Sequence, residues 1–94
     1  MSEIRKEIDG NKGRFVLLRD GEEAELTFSV LSANTIIADH TAVPDAFRGT
    51  GAGRALVEAL VKDARAEGYK IAPLCTFVNK ERASHPAWAD AFNV

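Results

Sequence analysis

Apolar and polar positions alternate over much of the first half of the chain. Between Ala24 and Leu31, Leu26, Phe28 and Val30 alternate with Glu25, Thr27 and Ser29, the period of a strand with one buried face. Arg14 to Arg19 reads as its partner, and Asp20-Gly21-Glu22-Glu23 as the turn between them. A third strand, Thr35 to Val43, follows Ser32-Ala33-Asn34 and is closed by Pro44, which has no N–H to give to a ladder. At Ala52 the period changes. Leu56, Val57, Leu60, Val61 and Ala64 recur at spacings of three and four up to Glu67, with Lys62, Asp63 and Arg65 on the other side and Gly68 placed to cap a helix. Tyr69 to Val78 reads as a fourth strand, in which Pro73 suggests an edge position or a local break in pairing. A short helix over about Glu81 to Phe92, interrupted at Ser84-His85-Pro86, ends the chain.

Three antiparallel strands, a helix and one more strand specify a small set of topologies. A strand, helix, strand order implies a right-handed crossover. The runs at 35–43 and 69–78 are therefore expected to lie side by side and parallel in a mixed sheet of the α/β (α+β) class.

Composition narrows the function classes. With 94 residues, 46% hydrophobic and 28% charged, the chain is expected to form one domain, 1–94, and any large ligand must sit in a surface cleft. No apolar run approaches the roughly 18 residues of a membrane span, and Met1-Ser2-Glu3-Ile4-Arg5-Lys6 has no apolar signal core. The expected compartment is the cytoplasm, with no membrane partner. Net charge is −2, with Lys and Arg scattered, so no footprint for nucleic acid is visible. One cysteine excludes an internal disulfide, and two histidines beside it leave no zinc-ligand spacing, so no metal is expected.

The densest chemical signal is Arg48-Gly49-Thr50-Gly51-Ala52-Gly53-Arg54, set between a strand and a helix. Glycines allow close approach of backbone to a ligand, and the helix start offers unpaired N–H groups and a positive dipole end. Arg48 adds a donor fork that suits phosphate oxygens. The pattern points to pyrophosphate; the plain alternative is an unliganded glycine turn.

The same run fits the Gln/Arg-x-x-Gly-x-Gly/Ala signature of the GNAT acetyltransferase superfamily, and the order strand, signature loop, helix, strand is that superfamily's core. His40-Thr41-x-Val43-Pro44 before the loop, Pro73-x-Cys75 after the helix and His85-Pro86 near the end add to the match. Together they make the chain resemble the minimal, single-domain GNAT-like proteins of the YjdJ type, from about residue 10 onward. One departure is Glu81, where those proteins usually carry an aromatic residue, so acceptor contacts are not carried over from the last helix.

The resemblance implies acetyl-CoA as co-substrate, an amine as acceptor and a GNAT-like fold. Pyrophosphate would lie on Arg48, Gly49, Thr50, Gly51, Ala52, Gly53 and Arg54, and the pantetheine arm against backbone around Thr41, Ala42 and Val43, with Asn79 nearby. Cys75 would stand beside the thioester, as acyl-accepting nucleophile or proton donor to departing CoA, against the alternative of a small buried hydrophobe. His40 is a candidate acceptor of the amine proton, against a role in ordering the strand end. Alternation puts His40 and Ala42 on one face and Thr41 and Val43 on the other, so only one pair can face a given site.

Longer members of the superfamily insert helices where this chain has Asp20-Gly21-Glu22-Glu23. That implies an open acceptor side, suited to a peptide lysine, an N-terminus or a polyamine. The competing readings are a non-catalytic module that binds CoA or acyl-CoA, and a small interaction domain with an empty loop.

Overall fold

Five strands form one sheet in the order β1-β2-β3-β4-β5: β1 Glu3–Asp9, β2 Lys12–Arg19, β3 Glu22–Ser32, β4 Thr35–Ala42 and β5 Lys70–Pro73. The computed structural model describes residues 3–93; Met1, Ser2 and Val94 lie outside them. The first four strands pair antiparallel, and β4 pairs parallel with β5 through the crossover helix α1, Ala52–Glu67. The expected mixed sheet is therefore present. β2 and β3 are joined by Asp20 and Gly21, at φ 50 and φ 80, the positive-φ pair of a tight hairpin turn whose twist matches its strands.

Phe15, Leu17, Leu26, Phe28, Ile36 and Ala38 form the sheet side of the core, packed with Leu56, Val57, Leu60, Val61 and Ala64 of α1. Burying one large aliphatic side chain contributes about 1.5–3 kcal/mol. The stripe on α1 thus outweighs intrinsic helix propensity in fixing where the helix lies. Lys6 joins β1 to α1: its Nζ donates to Asp63 Oδ2 at 2.7 Å, and the Tyr69 hydroxyl donates to the same oxygen at 2.7 Å.

On the sheet's other face Arg14 holds Glu7 and Glu25, each at 2.7 Å, and Glu23 at 3.6 Å. Hydrogen bonds from Glu25 and then Glu7 push its pKa further up. The ion pairs are partly exposed, so they order the face more than they stabilise it.

Three details depart from the sequence reading. Four strands, not three, precede the glycine loop, because Glu3–Asp9 forms β1; with Lys6 standing between Ile4 and Ile8, the run has no apolar alternation to mark it as a strand. The strand expected over 69–78 ends at Pro73. Leu74 N–H turns back to Ala72 O at 3.0 Å and Cys75 N–H reaches Ala38 O at 2.8 Å, which steers the chain out of the sheet. Residues expected to finish the strand instead form helix α2, Thr76–Ser84. Its buried residue Val78 lies three positions after the buried N-cap Cys75, a spacing that suits a helix and not a strand. The terminal helical segment thus starts at Thr76 rather than Glu81, while the interruption expected at Ser84-His85-Pro86 is present: α2 stops at Ser84, and Pro86 opens a 3-10 helix over Pro86–Ala91.

Candidate active site

β4 outruns β5. Their last paired residues are Ala38 and Pro73, after which β4 continues to Ala42 against β3 alone. Among the described residues the outer edge of 39–42 has no strand partner, and α2 departs beside it. A strand edge of this kind presents N–H and C=O groups to any extended chain carrying amides.

A bulge decides which side chains flank that edge. Phe28 pairs with Ala38 but Thr27 pairs with His40, so Asp39 is the extra residue and the alternation shifts by one. The Ser29 hydroxyl donates to Asp39 Oδ2 at 2.7 Å and holds the bulge. Thr41, opposite Leu26, therefore looks toward the α1 side, where its Oγ1 lies 3.4 Å from Cys75 Sγ. His40 stands opposite Thr27 on the other face and is exposed. The two faces are thus divided as alternation requires, with Thr41 and Cys75 on one and His40 on the other.

Past Ala42 the chain enters a 3-10 turn, Asp45–Phe47, anchored by the buried Phe47. Thr50 locks the loop, donating to Phe47 O from its N–H at 3.1 Å and from its hydroxyl at 2.5 Å. Gly49 and Gly51 have φ of 77° and 79°, which L side chains rarely adopt. Gly51 caps α1 with no side-chain hydrogen bond, and the first turn carries no acidic residue. The N–H groups of Ala52, Gly53 and Arg54 at this helix start have no intrahelical acceptor.

Gly53 serves a different purpose from Gly49 and Gly51. A Cβ there would come 2.6 Å from Phe77 Cζ, so this glycine lets α2 close onto α1. Arg48 is largely exposed and meets Asp45 at 3.3 Å. Arg54 Nε lies 3.4 Å from Glu81 Oε1, a carboxylate only 15% exposed. Glu81 therefore ties α2 to the first turn of α1. Asn79 projects from α2, its Oδ1 accepting from Arg82 Nε at 3.0 Å, and Val43 is exposed at the end of the β4 edge.

These parts fit a phosphate-bearing, amide-bearing donor. The helix start carries no side-chain cap that an anion would have to displace, and the unpaired edge leads from it to the Thr41–Cys75 contact. Cys75 is buried, held at the foot of α2. Among the described residues no group of three or more His, Cys, Asp or Glu could hold a metal ion. No helix among them is long and apolar enough to cross a membrane.

Residues 14–91 match the family model described as GCN5-related N-acetyl-transferase. The chain belongs to that family. It is 31% identical over 87 residues to Protein NATD1 of Xenopus tropicalis, covering 90% of this chain and 80% of that protein. It also resembles the NMR structure of a GCN5-like candidate N-acetyltransferase from Staphylococcus aureus, with TM-score 0.71 and 29% identity over 99% of this chain and 91% of that one. The family places the activity in acetyl transfer, and the sheet that parts between β4 and β5 is the GNAT-like fold expected from the signature.

Two relationships had no legible signal in the sequence. The Thr41–Cys75 contact joins residues 34 positions apart and depends on the bulge. The Arg54–Glu81 pair spans 27 positions and depends on α2 being a helix.

Proposed function

We propose that the protein transfers acetyl from acetyl-CoA to an amine on a flexible acceptor: a peptide lysine, an N-terminus or a polyamine. The observation that carries this reading is the continuity between the uncapped start of α1 and the unpaired edge of β4. Diphosphate is held by the loop Arg48, Gly49, Thr50, Gly51, Ala52, Gly53 and Arg54. Backbone at Thr41 and Val43 hydrogen-bonds the amide-bearing arm, and Asn79 closes its far side.

Acetyl-CoA supplies an activated thioester carbonyl when bound. The chain positions it, so that an amine arriving from the His40 face meets the carbonyl through the gap beside β4. His40 accepts the amine proton, directly or through water. Cys75, hydrogen-bonded to Thr41, gives a proton to the departing thiolate in direct transfer. In the alternative covalent route Cys75 Sγ attacks the thioester carbonyl, its proton passing to the CoA thiolate that leaves, and the amine then takes the acetyl group from Sγ, which departs as thiolate while His40 accepts the amine proton. The two-residue hairpin turn between β2 and β3 leaves the acceptor side open, which favours a flexible amine over one enclosed on all sides.

Calorimetric titration with acetyl-CoA, paired with an intact-mass spectrum, tests this. Binding with one added acetyl on Cys75 supports the covalent route. Binding without an adduct, together with turnover on an amine panel, supports direct transfer. Binding with no turnover on any amine indicates a CoA-binding module, and no binding removes the proposal.

A further inference from the structure

The two edges of the sheet differ. At β5 the chain end returns: Phe92 bridges Ile71, and Asn93 N–H donates to Ile71 O at 2.8 Å. Among the described residues no strand or bridge pairs with the outer edge of β1, whose ladder runs to β2 alone. That ladder is unbroken from the Glu3–Leu18 pair to the Asp9–Lys12 pair. β1 therefore has neither the proline nor the bulge that commonly blunts an exposed edge.

The residues of β1 are complementary to the same strand run backwards. Ile4, Lys6 and Ile8 lie on the α1 face, opposite Leu17, Phe15 and Gly13 of β2, and Lys6 reaches Asp63 of α1 at 2.7 Å. Arg5 and Glu7 lie on the other face, partly exposed, with their charged ends 3.9 Å apart. Two antiparallel copies of β1 keep each face on its own side only when the register steps by two residues. With Lys6 on a two-fold axis, Arg5 of each copy stands opposite Glu7 of the other, and Ile4 opposite Ile8, each pair formed twice. A shift of two residues either way sets Arg5 against Arg5 or Glu7 against Glu7, and an isoleucine against Lys6. In the matched register Ile8, 58% exposed, gains an apolar neighbour, and Lys6 comes to the axis with its charge already met by Asp63. The crossover helix lies over β2 and β3, so its two copies stay four strand spacings apart, roughly 19 Å, and do not collide.

We propose that the open edge of β1 pairs with the same edge of a second copy, antiparallel about Lys6, to form a two-fold dimer with one continuous sheet. The candidate active site at β4 and β5 lies at the far end of each half and stays uncovered. A single strand pair is at the small end of protein interfaces, so the dimer dissociates on dilution.

Sedimentation velocity on the full chain, from micromolar to millimolar concentration, tests this with two variants and their mixture. The natural chain is expected to pass reversibly from monomer to dimer. Arg5→Glu and Glu7→Lys each set like charges opposite one another twice, and each is expected to weaken the dimer at least about tenfold. Both side chains are partly exposed, and Arg14 keeps Glu25 at 2.7 Å when Glu7 is replaced, so the fold survives, which circular dichroism checks. In an equimolar mixture each variant meets opposite charge on the other at both pairs, and a heterodimer with an affinity near that of the natural dimer is expected. A natural chain that is monomeric throughout the range would overturn the inference and leave the edge to a different partner. A dimer that persists in both variants would place the interface elsewhere, and variants that stay monomeric when mixed would rule out the register; either result overturns it too.

Discussion

The Thr41 hydroxyl and the Cys75 thiol lie 3.4 Å apart, one on β4 and the other at the N-cap of α2. Two local irregularities create that contact. The bulge at Asp39 turns Thr41 toward α1, and the loss of a donor at Pro73, followed by Cys75 N–H bonding Ala38 O, brings the thiol alongside. In a regular pair of longer strands Thr41 would face away.

Cys75→Ala is expected to lower kcat by on the order of 100-fold, the usual scale for removing a proton-transfer group, while the Kd for acetyl-CoA changes only a few-fold. Steady-state kinetics with calorimetry separates the two. Retained turnover would make Cys75 a packing residue.

His40→Gln is expected to keep the fold, because the side chain is exposed, and to lower kcat/KM by roughly 100-fold. Steady-state kinetics on the amine acceptor checks this, and an unchanged kcat/KM would assign the proton to another group or to bulk water.

Arg48→Ala is expected to weaken CoA by about 10- to 100-fold, the equivalent of losing a charge-assisted hydrogen bond to phosphate. Its present partner, Asp45, is exposed and 3.3 Å away, so exchange for a phosphate meets little opposition. Titrations at two salt concentrations check this, and an affinity equal to that of the natural chain would remove Arg48 from the site.

Gly53→Ala would ordinarily favour a helix by about 1 kcal/mol. Here the added methyl meets Phe77 Cζ at 2.6 Å, so the substitution is expected to lower Tm, and Phe77→Ala is expected to reverse the sign. A double-mutant cycle by thermal denaturation measures the coupling; additive effects would show that the two helices do not press together at this point.

Tyr69 predicts alkaline sensitivity. Burial, and then its hydrogen bond to Asp63, raise its pKa well above the ordinary 10.0. A folded-state pKa above the unfolded one gives stability that is complete below the unfolded value and lost as pH rises beyond it. Stability is therefore expected to fall above about pH 10, with a shallower fall in Tyr69→Phe. Denaturant unfolding on both sides of that pH measures the slope, and identical slopes in the two proteins would refute the assignment.

The elements that read clearly in the sequence were those whose pattern repeats for several turns or residues. β3, with Leu26, Phe28 and Val30 in alternation, and α1, with its stripe from Leu56 to Ala64, bury one face each, and burial imposes the period. The parallel β4–β5 pair followed from chain order and handedness. Tyr69 to Val78 was misread because an apolar run of that length suits a strand or a buried helix equally. Pro73 marked the break, but the direction taken after it depends on hydrogen bonds to Ala38 and Ala72.

For the candidate site, residue types and loop position were legible and relative placement was not. The loop at Arg48, Gly49 and Gly51 was readable because the turn into α1 needs positive-φ backbone conformations that a short sequence can encode. Glu81 shows the opposite case. Its carboxylate looked like a departure on a terminal helix, and only the packing of α2 across α1 gives it Arg54 as a partner.

By itself, then, the sequence determined the sheet's antiparallel core, the crossover helix, the glycine loop at its start and the family that this order identifies. Those features depend on local periods and on backbone preferences within a few residues. Tertiary structure decided which face His40 and Thr41 occupy, where β5 stops and what Cys75 touches. Each depends on one bulge or one displaced hydrogen bond, and a shift of a single residue in a strand reverses the direction of every side chain that follows.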